Sequence, residues 1–145
     1  MIRKGNPLIF GNGLNLRSLT YTDNLAQAML LSAIHENANG QTYWIADRRP
    51  YPTYEIYQTV AELLGVTNFK PIYLPNLVSE GCRFADRIVQ ACGMYIPEIH
   101  VAGEMNKEIA CCIDKASEEI SYNPTIELRE GMHRSIQWCK ENNIL

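Results

Sequence analysis

Arg17 is the side chain whose type and setting most invite chemistry. It follows Gly11-Asn12-Gly13 on an alternating stretch, and a guanidinium there is shaped to grip a phosphate or a carboxylate through two parallel N–H donors. The competing reading is an exposed arginine paired with a nearby acid. Gly11-Asn12-Gly13 is either a phosphate cradle or a hairpin turn. A cradle needs a glycine-rich turn running from a strand straight into a helix. Here an alternating stretch follows, and neither G-x-G-x-x-G nor G-x-x-x-x-G-K occurs, so a hairpin turn is expected.

His35, His100 and His133 lie in separate segments, no two at the i, i+4 spacing that sets two ligands on one helical face. No metal site is expected. Nucleophilic catalysis lacks a G-x-S-x-G elbow. Vicinal Cys111-Cys112 is either a redox pair or two neighbouring packed thiols. Glu80, Asp86, Glu98 and Glu104 become an acid/base pair only if folding brings two of them across a cleft; otherwise they form a solvated face. Catalytic residues are therefore not expected in these 145 residues. Tyr21, Tyr43, Trp44, Tyr51 and Tyr54 gather near predicted strand ends, where they line a ligand cleft or fill the core.

The elements that must position these residues alternate in type. Pro7–Phe10 reads as a strand, and Leu14–Tyr21 as a second strand folded back on it through the glycine turn. Thr22 caps a helix with Ala26, Met29, Leu30 and Ala33 on its inner face, ending at Asn39-Gly40. Thr42–Ala46 is β-branched and aromatic, and Tyr43–Ala46 reads as a strand buried on both sides. Pro52-Thr53 opens a helix through Ile56, Val60, Leu63 and Leu64 that closes at Gly65. Pro71–Pro75 suits an edge strand. A long helix follows from Leu77 to Cys92 with Phe84, Ala85, Ile88, Val89 and Cys92 on one stripe. Tyr95–Ile113 reads as loop with one short strand or turn. Asp114 caps a short helix through Ile120, and a last helix with Leu128, Met132, Ile136 and Cys139 inward ends near Asn143. This order predicts an α/β fold with few short strands.

Composition narrows the function classes. Thirteen Lys+Arg against 16 Asp+Glu give −3, with no basic block, which removes the electrostatic footprint of a nucleic-acid binder. No stretch of about 18 apolar residues is present, so no membrane span is expected. The first residues lack the apolar centre of a signal peptide, and five cysteines without C-x-x-C spacing read as reduced packed thiols. A cytoplasmic location is expected.

From Pro7-Leu8-Ile9-Phe10-Gly11-Asn12-Gly13 through Arg17-Ser18-Leu19-Thr20-Tyr21-Thr22-Asp23-Asn24-Leu25-Ala26 the sequence resembles the extended short-chain dehydrogenase/reductases, the NAD-dependent epimerase/dehydratases of nucleotide sugars and their hydroxysteroid and dihydroflavonol relatives. Gly40–Asp47, Thr53–Gly65 and Lys115–Trp138, with Tyr122, Pro124, Leu128 and Gly131, agree with later family segments in order. Ser121 departs from the glycine that the family carries before its tyrosine. The resemblance implies that residues 1–145 are the C-terminal, substrate-binding part of a Rossmann-type NAD(P)-binding enzyme. It also implies that the N-terminal dinucleotide-binding region, with its glycine-rich turn and Tyr-x-x-x-Lys, lies outside them. Met1–Gly5 resembles the end of a family helix rather than a start.

The resemblance further implies that the longer enzyme moves a hydride with NAD or NADP, and that this part alone holds no cofactor. Arg17 would contact a substrate phosphate and Leu8, Ile9 and Phe10 would flank the base or ring; Asp23 is a helix-start anchor. The substrate is a small molecule, a nucleotide sugar or, in the hydroxysteroid branch, a sterol-like compound. A non-catalytic binding module is the alternative. The uncovered face and free edges of Tyr43–Ala46 predict self-association.

Overall fold

The computed structural model describes Ile2 and residues 5–145, so the resemblance of Met1–Gly5 to a helix end falls mostly outside the described residues. In chain order these form β1 (Leu8–Phe10), β2 (Leu16–Arg17), α1 (Thr22–Ile34), β3 (Tyr51–Pro52), α2 (Thr53–Leu63), β4 (Ile72–Leu74), α3 (Asn76–Ala91), α4 (Pro97–Glu104), α5 (Asp114–Ile120) and α6 (Leu128–Glu141). The class is the expected mixed α/β with few short strands.

The hairpin does not form. β1 pairs in parallel with β4, Leu8 opposite Ile72 and Phe10 opposite Leu74, and Pro71 and Pro75 bound β4 as an edge strand, as expected. β2 pairs antiparallel with β3 instead, Leu16 opposite Pro52 and Arg17 opposite Tyr51. Only Leu16–Arg17 of the expected strand Leu14–Tyr21 is laddered. The turn redirects the chain: Asn12 Oδ1 accepts the Leu14 N–H at 3.0 Å, and the carbonyls of Gly13 and Asn15 accept the N–H groups of Tyr54 and Thr53. The glycine turn thus leads to the start of α2 rather than back onto β1.

Two helices bury the face opposite to the one expected. In α1 the inward residues are Asn24 and Ala28, with Leu31 half-buried, while Met29 and Leu30 face solvent. Thr22 is the first helical residue, Tyr21 holds the cap position, and the helix ends at Ile34. α1 is apolar nearly all round, so periodicity does not select its inner face; the hydrogen bonds of Asn24 do. In α3 the buried residues are Ser79 and Asp86, and Phe84 and Ile88 are exposed.

Tyr43–Ala46 is also corrected: it is extended but joins no ladder, and Trp44 is 73% exposed. No strand among the described residues lies beside it, so side chains meet its carbonyls. Thr20 Oγ1 donates to Ile45 and the Tyr122 hydroxyl to Ala46, each at 2.9 Å.

α4 occupies part of the expected loop Tyr95–Ile113, opened by Pro97 in its first turn. Gly103 allows its close approach to α3, since a Cβ there would stand 3.1 Å from the Arg83 Cα. The short strand expected in that stretch is one bridge, Ile109 parallel to Arg17. Cys92 and Cys112 are exposed free thiols rather than packed ones. α2, β4, α5 and α6 fall where expected to within a residue or two, and α2 packs on α6.

Ala28, Ala116, Ile120 and Tyr122 form a buried cluster joining α1 and α5. Burial pushes the Tyr122 phenol up from 10.0 to about 12. A folded-state pKa above the unfolded one contributes stability that is complete below pH 10.0 and is lost as pH rises towards about 12. Urea melts between neutral and strongly alkaline pH should therefore show falling stability, and Tyr122→Phe should flatten part of that slope. Burial raises Tyr51 and Tyr57 in the same direction, and they keep the remainder.

Ser121 ends α5 in the left-handed region at φ 57°. Glycine reaches that conformation without the Cβ penalty, which gives physical content to the departure noted in the sequence. Ser121→Gly is expected to stabilise the protein by roughly 0.5–1 kcal/mol in thermal or urea melts.

Candidate functional site

Two concavities meet at Phe10. Beyond the carboxyl ends of β1 and β4 lies a cleft of about 470 Å³ with Asn12, Asn15, Asn76 and Asn106 on its walls. In α/β sheets this end of the strands is where ligands bind. On the other side an apolar groove of about 810 Å³ is lined by Leu8, Phe10, Tyr57, Val60, Val101 and Met105.

The last turn of α4 separates the two, and β2 with its preceding residue holds it. Arg17 Nη2 donates to the carbonyls of Glu104 and Met105, both at 3.0 Å. Asn15 Nδ2 donates to Met105 at 3.0 Å and Lys107 at 3.4 Å. A cation and an amide thus satisfy carbonyls at the negative end of the helix dipole. Arg17 also acts on the groove: burial raises the Tyr57 phenol, and the Arg17 charge opposes that shift.

Of the residues singled out in the sequence, Leu8, Phe10 and Arg17 are brought together around α4 and Tyr57. Ile9 alternates to the other side of β1 and is fully buried; a Cβ on Gly13 would lie 3.1 Å from its Cγ2. Arg17 meets backbone carbonyls, not an acid. Tyr51 is a core residue whose hydroxyl accepts the Leu128 N–H at 3.1 Å, whereas Trp44 faces solvent. The carboxylates engage neighbours: Glu80 pairs with Arg83, Asp86 with His100 and Glu104 with Lys107. Asp23 is exposed and pairs with Arg134 at 3.3 Å.

The residues that sequence reasoning missed are polar and buried. Asn24 Nδ2 donates to Asp47 Oδ1 at 3.0 Å and to the Ile126 carbonyl at 2.7 Å; its Oδ1 accepts the N–H groups of Thr125 and Ile126, each at 3.2 Å. Burial raises the Asp47 carboxyl, outweighing the donors from Asn24 and the Tyr21 backbone. Their position inside Thr22-Asp23-Asn24-Leu25 and just before Arg48-Arg49-Pro50 was the available signal, and the neighbouring Asp23 attracted the helix-start role instead.

The described residues do not fit a dinucleotide's phosphates. Gly11-Asn12-Gly13 leads into extended chain rather than a helix, and its Gly11 amide is taken by the Leu74 carbonyl. Asn76 also crowds the turn, since a Cβ on Gly11 would stand 2.5 Å from the Asn76 Oδ1.

No protein-family profile matches the sequence. The chain is 46% identical to an uncharacterized protein, y4nL, of Sinorhizobium fredii over 98% of its own length and 41% of that protein's. It is 23% identical to a 3beta-hydroxysteroid-dehydrogenase/decarboxylase of Arabidopsis thaliana, over 90% of this chain and 26% of the plant protein. Among solved structures, an epimerase from Methanothermobacter thermautotrophicus superimposes with a TM-score of 0.66 at 19% identity, over 99% of this chain and 35% of that one. A UDP-glucuronic acid 4-epimerase from Bacillus cereus, solved with UDP-glucuronic acid and NAD, gives 0.63 at 17% identity, over 97% of this chain and 38% of the epimerase. The fold is that of the C-terminal part of Rossmann-like epimerases and dehydratases. The chain spans less than half the length of each of these proteins.

Proposed function

We propose that this chain is the substrate-binding portion of a longer, cytoplasmic NAD(P)-dependent epimerase/dehydratase or reductase that acts on a nucleotide sugar by hydride transfer. The observation that carries the reading is the meeting of the amide-walled cleft, the apolar groove and Arg17 around one turn of α4, on a fold shared with a structure that holds a nucleotide sugar. In this reading Arg17 receives a phosphate, Leu8 and Phe10 flank the base or ring, and Ile9 supports them from the core. The cofactor is held by the rest of the longer chain, because the turn at Gly11 is filled.

A sterol-like substrate is the second reading, favoured by the apolar lining of the groove and by the distant plant relative. Calorimetric titration with UDP and, separately, with a soluble sterol separates the two. The first reading expects UDP to bind and the sterol not to; binding of the sterol alone overturns it, and silence from both favours a module without this substrate.

Self-association belongs to the same proposal. It is supported by exposed apolar side chains on α1 and α3 and by the unladdered Tyr43–Ala46 segment. A strictly monomeric, folded species in light scattering at high concentration contradicts it.

A further inference from the structure

We propose that the amide-walled cleft beyond β1 and β4 seats an uncharged, hydroxyl-bearing ring and so selects a neutral glycosyl group over a uronic acid. The proposal rests on the nucleotide-sugar reading above and adds to it the class of sugar.

The cleft is polar without being charged. At about 470 Å³ it has room for a ring of hexose size, and no Lys, Arg, Asp or Glu among the described residues lines it. Hydrogen bonds within the protein decide which amide atoms remain for a ligand. Asn12 gives its Oδ1 to the Leu14 N–H, so its Nδ2 is left as a donor. Asn15 gives its Nδ2 to the Met105 and Lys107 carbonyls, so its Oδ1 is left as an acceptor. Asn76, exposed at the start of α3, keeps both amide atoms for the cleft. Asn106 is spent, because its Oδ1 accepts from Ser79 at 3.0 Å and its Nδ2 donates to Glu80 at 3.3 Å.

One donor, one acceptor and one amide offering both thus stand on three separate pieces of chain: the turn after β1, the residue before β2 and the first residue of α3. The edge of a nucleobase presents its groups in one plane and in a fixed order, whereas hydroxyls project in several directions and each can donate and accept. The set fits a ring of hydroxyls. Phe10 and Tyr73 add apolar wall for the C–H faces of such a ring.

A carboxylate has no partner there. Asn15 turns lone pairs towards it, and the cations beside the cleft are engaged. Arg17 serves the α4 carbonyls and, in the reading above, a phosphate, and Lys107 Nζ is held by Glu104 at 2.6 Å. Behind Asn106 stands the Glu80 carboxylate, already paired with Arg83. A uronic acid entering the cleft loses the water around its charge and gains no cation.

Calorimetric titration of the chain with UDP, UDP-glucose and UDP-glucuronic acid tests this, with far-UV circular dichroism to verify folding. UDP-glucose should bind about five- to tenfold tighter than UDP, the effect of one or two neutral hydrogen bonds, and UDP-glucuronic acid no tighter than UDP. Asn76 is exposed, so its substitution should leave the fold intact. Asn76→Ala should shrink the advantage of UDP-glucose over UDP and leave UDP itself unchanged. Asn76→Lys supplies the missing cation, so UDP-glucuronic acid should gain about tenfold relative to UDP. If UDP does not bind, the nucleotide-sugar reading fails and takes the subsite with it. If UDP binds but UDP-glucose binds no tighter, or UDP-glucuronic acid binds tighter than UDP-glucose, the subsite is overturned and the reading stands. An advantage of UDP-glucose that survives Asn76→Ala, or a gain in Asn76→Lys that UDP shares in full, also overturns the subsite, because the ring then lies elsewhere.

Discussion

Asn24→Leu is expected to destabilise the protein by about 3–5 kcal/mol, which is most of the stability of an ordinary domain and enough to abolish a cooperative urea transition. Asn24 uses two donor contacts and two acceptor contacts to tie α1 to the Asp47 loop and to the Thr125-Ile126 segment before α6. Leucine matches its volume closely, so the loss is not a cavity. It leaves one carboxylate oxygen without its amide donor, one carbonyl without a partner and two backbone N–H groups unpaired inside the fold. Asn24→Asp sharpens the test. It keeps the acceptor but places a second carboxylate beside Asp47, so its penalty should be larger at pH 7 than near pH 4, where one of the pair takes up a proton. Melting within about 1 kcal/mol of the unaltered protein for Asn24→Leu would show that the network carries little of the stability.

The same residue explains why so much of the fold was legible and the site less so. Prolines and glycines punctuate the chain, and they placed α2, β4, α3, α5 and α6 nearly to the residue, because Pro52, Pro71, Pro75 and Gly65 constrain the backbone wherever they stand. Which face turns inward is a different question. α1 is apolar on most sides, and α3 meets its neighbour through Ser79 and Asp86, so the rule that apolar stripes face the core selected the wrong side of both. Strand pairing failed for a related reason. The residues that pair with β1 lie 64 positions further along the chain, in β4, and those that pair with β2 lie 34 and 36 positions on, in β3, whereas a turn signal reports only on neighbours. Arg17 was visible as a cation after a turn, but its carbonyl partners belong to α4, a helix whose weak pattern hid it. Polar residues that close long-range networks carry no periodic signature, which is why Asn24 and Asp47 were missed.

Arg17→Ala is expected to lower affinity for UDP by roughly 30–100-fold, the loss of one charge-assisted contact to phosphate from Nε or Nη1, the donors that the α4 carbonyls leave free. The same substitution removes the Nη2 donor from the Glu104 and Met105 carbonyls, so a stability loss of about 1–2 kcal/mol should accompany it. The two effects need separating, and Arg17→Lys does so. An ammonium keeps the charge but has no planar fork, and it cannot serve the α4 carbonyls and a phosphate in the same geometry. With lysine, melting should return most of the way to that of the unaltered protein while UDP affinity stays down by about tenfold. Raising the salt concentration should weaken UDP binding to the arginine and lysine proteins and leave the alanine variant nearly indifferent, since only the first two present a charge to the phosphates. If Arg17→Ala lowers stability and leaves UDP affinity intact, the arginine is a clamp on the last turn of α4 alone, and the phosphate must be sought among the amides of the neighbouring cleft.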